Sequence, residues 1–161
     1  MTTENEKVIL GIMSRIMKEF GFRKKRSTWY RENEEVIMVV NLQRSTWGKY
    51  FYLNVGVLIK ALNNTKDPPE HKCHIRDRIE ENGPDMKRAL DASDGPITPE
   101  EREQIITDKV RNVVMPTLNS WSLIKSLVEL NRRGFGSTWV LRIAQDFLQQ
   151  ESARMSAQTN P

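Results

Sequence analysis

The apolar residues change their spacing within the first third of this chain, and this change constrains the possible fold more than any other feature. Between residues 8 and 20 they recur every three to four positions, after a capping box formed by Thr3 and Glu6, which is typical of an amphipathic helix. Residues 35–43 and 50–60 are instead continuous runs rich in β-branched and aromatic side chains, which indicates strands. The sequence therefore predicts one helix followed by a group of strands.

The rest of the chain extends this order. Residues 22–31 read as a further strand, and residues 73–79 read either as a fourth strand or as the start of a helix. Helices follow from Thr98 onwards. Because strands and helices are segregated along the chain, we predict an α+β fold. Its antiparallel β-meander has three to four strands, with an N-terminal helix and C-terminal helices packed on the sheet. We expect one domain over residues 1–150 and a polar, disordered tail over residues 151–161.

The composition argues against several classes of protein. No run approaches the roughly 18 apolar residues that a membrane helix needs, and the polar start Met1-Thr2-Thr3-Glu4 is not a secretory signal. The one cysteine cannot form an internal disulfide, which suits a reducing compartment. We therefore expect a cytoplasmic protein with no membrane partner and no cofactor. The net charge of +4 permits a nucleic-acid or acidic protein partner without requiring either.

Alternation along the predicted strands sorts their side chains into two faces. One face is apolar and must pack against helices, whereas the other contains amides among hydrophobic residues. Asparagine and glutamine are poor strand residues, so their positions need a reason. Either this face is half-solvated, with amides bonded to a covering segment, or it is a polar recognition site with aromatic walls. The candidate binding residues of the second reading are Asn41, Gln43, Tyr50, Tyr52, Asn54, His74 and Arg76.

The motif His71-Lys72-Cys73-His74 contains both histidines and the cysteine of the chain, and it suggests two chemistries. Zinc requires three or four ligands, but an extended segment would point His74 away from His71 and Cys73, so we predict no metal site. A Cys73 nucleophile with His71 as its base would lack a third, orienting group. No phosphate-binding glycine loop or nucleophile elbow is present either. We therefore predict no catalytic residues and favour a protein that is not an enzyme.

A basic run with neighbouring aromatic residues offers an alternative function. Interleaved cations and rings are what single-stranded nucleic-acid platforms use, although lysines on an edge strand also serve simply to prevent aggregation. Extended Arg23 and Lys25 would also face away from Lys24 and Arg26. The candidate nucleic-acid-binding residues are Arg23, Lys24, Lys25, Arg26, Trp29 and Arg31.

Several short phrases of the sequence resemble a known family. They are Gly21-Phe22-Arg23-Lys24-Lys25, Thr28-Trp29-Tyr30-Arg31-Glu32, Val40-Asn41-Leu42-Gln43-Arg44, Phe51-Tyr52-Leu53-Asn54-Val55-Gly56-Val57 and Cys73-His74-Ile75-Arg76. In this order they are similar to DUF4304, a bacterial family of domains of unknown function, over residues 10–80. The resemblance implies a bacterial, cytoplasmic protein and the company of accessory and toxin-immunity genes. It implies no catalytic residue, because the family has no established activity.

These observations predict a non-enzymatic domain that binds a protein partner, of the immunity, antitoxin or defence-associated kind. The reasons are the missing catalytic set, the mixed sheet face, and Trp29, Trp47 and Trp139, which we expect to be exposed interface anchors. A nucleic-acid-binding accessory domain that uses the basic N-terminal hairpin is the alternative. An enzyme with a non-local polar site on the sheet is the weaker alternative.

Overall fold

The α+β architecture predicted from the sequence is confirmed by the structure, a computed structural model that describes residues 3–79 and 83–159. A helix comes first, an antiparallel sheet follows, and most of the remaining chain is helical. The elements are α1 (Glu4–Glu19), β1 (Arg23–Lys25), β2 (Thr28–Glu32), β3 (Val36–Arg44), β4 (Phe51–Ile59), a 3₁₀ turn (Glu70–Lys72), β5 (Ile75–Arg78), α2 (Pro84–Leu90), α3 (Pro99–Lys109), a π-helical turn (Val110–Val114), α4 (Met115–Ser120), α5 (Ile124–Arg133), β6 (Trp139–Val140) and α6 (Arg142–Gln158).

The sheet is a continuous antiparallel meander of six strands in the order β1-β2-β3-β4-β5-β6, two more than the largest number predicted. The strand predicted at residues 22–31 is a hairpin of β1 and β2, because Arg26 adopts a positive φ of 58° and reverses the chain. The short β6 pairs with β5 at the far edge. Long strands β3 and β4 form the centre, with Val36 opposite Ile59 at one end.

The apolar face of the sheet packs against helices, as its alternation predicts. Val40 and Leu53 are fully buried there and share one hydrophobic cluster with Met13 of α1 and Ile106 of α3. Helix α1 begins with the predicted capping box, in which the Thr3 hydroxyl accepts a hydrogen bond from the backbone of the third helical residue. Burial of this apolar face is the main source of stability for the fold.

The helical run that begins at Pro99 continues past Pro116, where the sequence suggests an end or a kink, and it is then separated from α5 by residues 121–123. Helices α3 and α4 form one run that is interrupted by the π-helical turn just before Pro116; a proline lacks the amide hydrogen that a regular helix would use, and the wider turn accommodates it. None of the helices within the described ranges is long and apolar enough to span a membrane.

The tail over residues 151–161 was predicted to be disordered, and this prediction is wrong for most of its length. Helix α6 continues to Gln158, and residues 160–161 lie outside the described residues. The helix persists because Ala144 and Leu148 are buried and Met155, further along the same face, packs against the core cluster.

Candidate functional site

The second face of the sheet is divided into a covered part and an open part. Residues 61–74, which we call the crossing segment, pass over one half of the face and bury Val39 and Leu58 beneath Cys73. Gly56 makes this close approach possible, because a Cβ atom at this position would lie 2.8 Å from the Cys73 Cβ. The crossing segment then enters the 3₁₀ turn, where the backbone amide of Cys73 donates to the carbonyl of Glu70 (2.9 Å).

His74 belongs to the covered part and not to a binding face, so its predicted place among the binding residues is wrong. Its side chain is buried, and its Nδ1 accepts a hydrogen bond from the backbone amide of Ile59 (2.9 Å). Burial also lowers the pKa of His74, which favours the neutral ring that this hydrogen bond requires. The reason for the error is that β5 begins at Ile75 rather than at Cys73.

Neither chemistry suggested by the motif around Cys73 has geometric support. The thiol is fully buried, and this burial raises its pKa, which opposes formation of the nucleophilic thiolate. His71 lies on the exposed side of the 3₁₀ turn. Within residues 3–79 and 83–159, no group of three or more histidine, cysteine or acidic side chains is placed to hold a metal ion. Cys73 serves instead as a small packing residue above Gly56.

The open part carries a chain of amide and arginine hydrogen bonds across three strands. Asn54 on β4 donates from Nδ2 to Oε1 of Gln43 on β3 (3.0 Å) and accepts at Oδ1 from Nε of Arg78 on β5 (3.2 Å). Asn41, opposite Asn54 in the register, turns the other way and donates to the Thr28 hydroxyl (2.8 Å). Asn54 is therefore buried and satisfied, while Gln43 remains exposed.

A pair of tyrosines extends this network towards the end of the sheet. The hydroxyl groups of Tyr50 and Tyr52 are 2.7 Å apart, and the rings meet edge to face. Hydrogen bonds from Ser45 and Tyr52 lower the pKa of the Tyr50 hydroxyl. The Arg78 guanidinium lies 4.1 Å from the centre of the Tyr52 ring, so it binds to an amide on one side and to an aromatic face on the other.

Arg76 lies two residues before Arg78 on the same face of β5. Its guanidinium lies 4.7 Å from the centre of the Trp139 ring on β6, and Trp139 is 61% exposed. The Nε atom of Arg76 is buried and has no hydrogen-bond partner among the described residues. In the part of the chain that the structure describes, the stacking on Trp139 is the contact that holds this guanidinium.

These groups line a cleft of about 490 Å³, which we call the arginine cleft. Its floor is the open part of the sheet, one wall is Trp139, and the other wall is the 3₁₀ turn. Burial raises the pKa of Glu70 in that wall, and the positive charges of Arg76 and Arg78 act in the opposite direction. The lining residues are Gln43, Asn54, Glu70, His71, Arg76, Asp77, Arg78, Ser137 and Trp139.

A second cleft of about 420 Å³ lies on the other side of the 3₁₀ turn and shares Gln43, Glu70 and His71 with the arginine cleft. Arg26 and Asn41 line it. The Glu70–His71 pair thus forms a ridge between two depressions on one face of the molecule.

The residues predicted to bind nucleic acid are not gathered on one surface. Trp29 is a core residue with 1% exposure, which corrects the prediction that it is exposed, and Lys24 beside it donates to the hydroxyl of Ser14 (2.7 Å). Arg31 donates to the backbone of Phe20 (3.0 Å) and to a side chain of α4, so it holds structural elements together.

Two further cations of the basic run share one carboxylate of the crossing segment. Arg23 and Lys25 both form ion pairs with Asp67 of the crossing segment, and both hold the pKa of that carboxyl group below its usual range. Arg26 is exposed at the hairpin turn. The run is therefore a set of local contacts more than a continuous cationic platform.

The structure adds Arg78 and Glu70 to the predicted binding set and brings Trp139, already predicted to be an interface anchor, into the same cleft. Arg78 follows from simple alternation, since it is two residues from Arg76. Trp139 was predicted to be exposed, but its position next to Arg76 depends on the two-residue strand β6. No sequence signal places Glu70, because it reaches the site through the irregular crossing segment.

The family comparison covers most of these residues. The model of a domain of unknown function, DUF4304, matches residues 14–120, which include the ridge and every arginine of the cleft but not Trp139. No curated protein and no solved structure matches the chain.

Proposed function

Because this chain belongs to the DUF4304 family of domains of unknown function, we propose a function from the site itself: a non-enzymatic domain that binds a protein partner through the arginine cleft. The two clefts and the ridge between them give an extended, uneven surface. Such a surface suits another protein better than a small metabolite, which is usually enclosed on most sides.

The observation that carries the proposal is the stacking of two arginines on two aromatic rings in one cleft. Arg76 stacks on Trp139 and Arg78 on Tyr52. Arginine, tryptophan and tyrosine are the residues that most often dominate the energetics of protein interfaces. Stacking also holds each guanidinium in place before binding, which reduces the entropy lost when a partner binds.

The arrangement offers less support for catalysis. Ser137 and His71 both line the arginine cleft, but no hydrogen bond joins them in the described ranges. The cysteine is buried outside the cleft. A nucleophile and its base normally lie within hydrogen-bond reach of each other, so a binding function accounts better for the residues present.

Electrostatics also support nucleic-acid binding less well than binding of a protein partner. A phosphate backbone requires cations that are free to neutralise it, whereas Arg23 and Lys25 share Asp67. The arginine cleft itself carries Glu70 and Asp77 beside its two arginines. These acids would repel a closely spaced row of phosphates.

Affinity purification of the tagged protein from its source cells tests the proposal. We expect a specific partner that is captured by the native chain and lost with Arg76→Ala and Trp139→Ala. Trp47→Ala and Arg111→Ala are matched controls, because Trp47 is exposed on a loop and Arg111 lies on the helical side. Equal capture by correctly folded cleft variants would refute the proposal.

A toxin that the chain neutralises is the form of partner that we favour. Co-expression of the chain with the product of an adjacent toxin gene tests this form. We expect the native chain to restore growth and Arg76→Ala to fail, whereas equal protection by both would place the neutralising surface elsewhere.

A further inference from the structure

The Arg76 guanidinium is a half-buried charge without an acceptor. Its Nε is buried with no hydrogen bond, and none of the acidic side chains within residues 3–79 and 83–159 forms an ion pair with it. A guanidinium carries five donors, and leaving a partly buried charge unsatisfied destabilises a fold. Its terminal nitrogens donate no hydrogen bond in these ranges either, so they have more to gain from an incoming acceptor than those of an ion-paired surface arginine.

Its neighbour Arg78 shows the contrast. Arg78 bonds to Oδ1 of Asn54 through Nε and belongs to the network that crosses the sheet. Arg76 has a comparable aromatic contact but no such bond. Arg76, the arginine that lacks a hydrogen-bond acceptor, is therefore the one that lies beside exposed Trp139 at the open side of the cleft.

We propose that Arg76 binds a carboxylate group of the protein partner, an inference that rests on the function proposed above. Because Nε is buried, the carboxylate reaches the guanidinium end on, through its two terminal nitrogens. The Trp139 ring packs against the guanidinium and restricts its orientation, and it contributes apolar area to the contact with the partner. A charge-assisted hydrogen-bonded pair of this kind is stronger than a neutral hydrogen bond.

The charges in the cleft favour a carboxylate over a phosphate. Glu70 and Asp77 line the cleft together with Arg76 and Arg78, so their formal charges cancel. A phosphate monoester, with a charge near −2 at neutral pH, would meet two acidic groups for the same two cations. A single negative charge that approaches Arg76 from the Trp139 side meets less repulsion.

Titration of the isotope-labelled protein with three tripeptides, each blocked at its N-terminus, tests the inference by nuclear magnetic resonance. One tripeptide contains glutamate and has a C-terminal amide, one has alanine residues and a free C-terminal carboxylate, and one is neutral throughout. The indole signal of Trp139 reports binding, and the indole signal of Trp47 in the same spectrum is the internal control. Trp139→Phe assigns the reporter signal.

We expect the two carboxylate peptides to shift the Trp139 signal in a saturable way and the neutral peptide to leave it unchanged. The tighter of the two identifies whether an acidic side chain or a chain terminus is the preferred source. Arg76→Met should weaken binding roughly ten- to a hundred-fold, the loss expected for a hydrogen bond to a charged group, while Arg111→Met should not. An unmoved Trp139 signal, or inorganic phosphate binding as tightly as the carboxylates, would overturn the inference.

A stability measurement separates a binding role for Arg76 from a structural one. Methionine keeps much of the packing on Trp139 and removes the unsatisfied Nε, so Arg76→Met should leave the melting temperature unchanged or raise it. A clear fall in melting temperature would assign Arg76 to the scaffold. If partner capture needs Trp139 but not Arg76, the carboxylate inference fails while the proposed function stands; if it needs neither, both fail.

Discussion

Replacement of Gly56 by alanine tests how tightly the crossing segment is packed on the sheet. The added Cβ would lie 2.8 Å from the Cβ of Cys73 and 3.0 Å from its Sγ, closer than such atoms normally approach. Overpacking of this kind costs roughly 1–3 kcal/mol. Alanine loses less backbone entropy than glycine when the chain folds into a strand, and this difference offsets about 0.5–1 kcal/mol of the cost. With the middle of each range, the net loss of unfolding free energy should be about 1 kcal/mol.

Thermal unfolding followed by circular dichroism measures this loss. For a chain of this length a change of about 1 kcal/mol moves the melting temperature by roughly 2–4 °C. The decisive comparison uses the partner residue: Cys73→Gly removes both contacting atoms and should abolish the cost of Gly56→Ala. Cys73→Ala keeps the Cβ and should relieve little. If Gly56→Ala is neutral, or if it costs the same in the Cys73→Gly background, the close approach is not a constraint on the fold.

Two further predictions concern buried polar groups of the fold, and a third concerns nucleic-acid binding. Asn54→Ala should lower the unfolding free energy by about 1–3 kcal/mol because it removes the hydrogen bonds of a buried amide to Gln43 and Arg78. Asn41→Ala at the half-buried neighbouring position should cost less in the same denaturant titration. Arg102→Met should lower the unfolding free energy by about 2–3 kcal/mol, because the buried guanidinium donates to two backbone carbonyls at the end of α2 (2.7 Å each). The exposed control is Arg111→Met in the π-helical turn that follows α3. In a gel-shift assay at low salt we expect no binding of DNA or RNA by the native chain, and a shift that is lost when residues 23–26 are all changed to serine would revive the nucleic-acid alternative.

The long elements of the fold could be read from the sequence because each has a local signal. Helix α1 has a capping box and a helical stripe, and the centre of the sheet has two long apolar runs. The short strands have no such signal: β6 contains two residues and exists only because β5 is there to pair with it. Strand formation at this edge is a tertiary effect, which no single-sequence pattern contains.

The alternation rule predicted most of the open sheet face but not the role of every member. It placed Asn41, Gln43 and Asn54 on the same face, and the register confirms this. It could not tell that Trp29 is buried, although the register offers the reason: Trp29 lies opposite Val40, a core residue. His74 was misassigned because the rule was extended beyond the true start of β5.

The single cysteine of the crossing segment makes the opening of that segment measurable without any engineered label. Cys73 is fully buried in the folded chain, so a thiol reagent reaches it only when residues 61–74 lift from the sheet or the whole chain unfolds. The labelling rate of the folded chain, divided by that of the unfolded chain, gives the free energy of the opening. Since Glu70 of the same segment forms a wall of the arginine cleft, a ligand bound there stabilises the closed state and slows labelling in proportion to its occupancy. Cys73 would thus serve as a quantitative reporter of the binding proposed above, at a buried position that the partner does not need to touch.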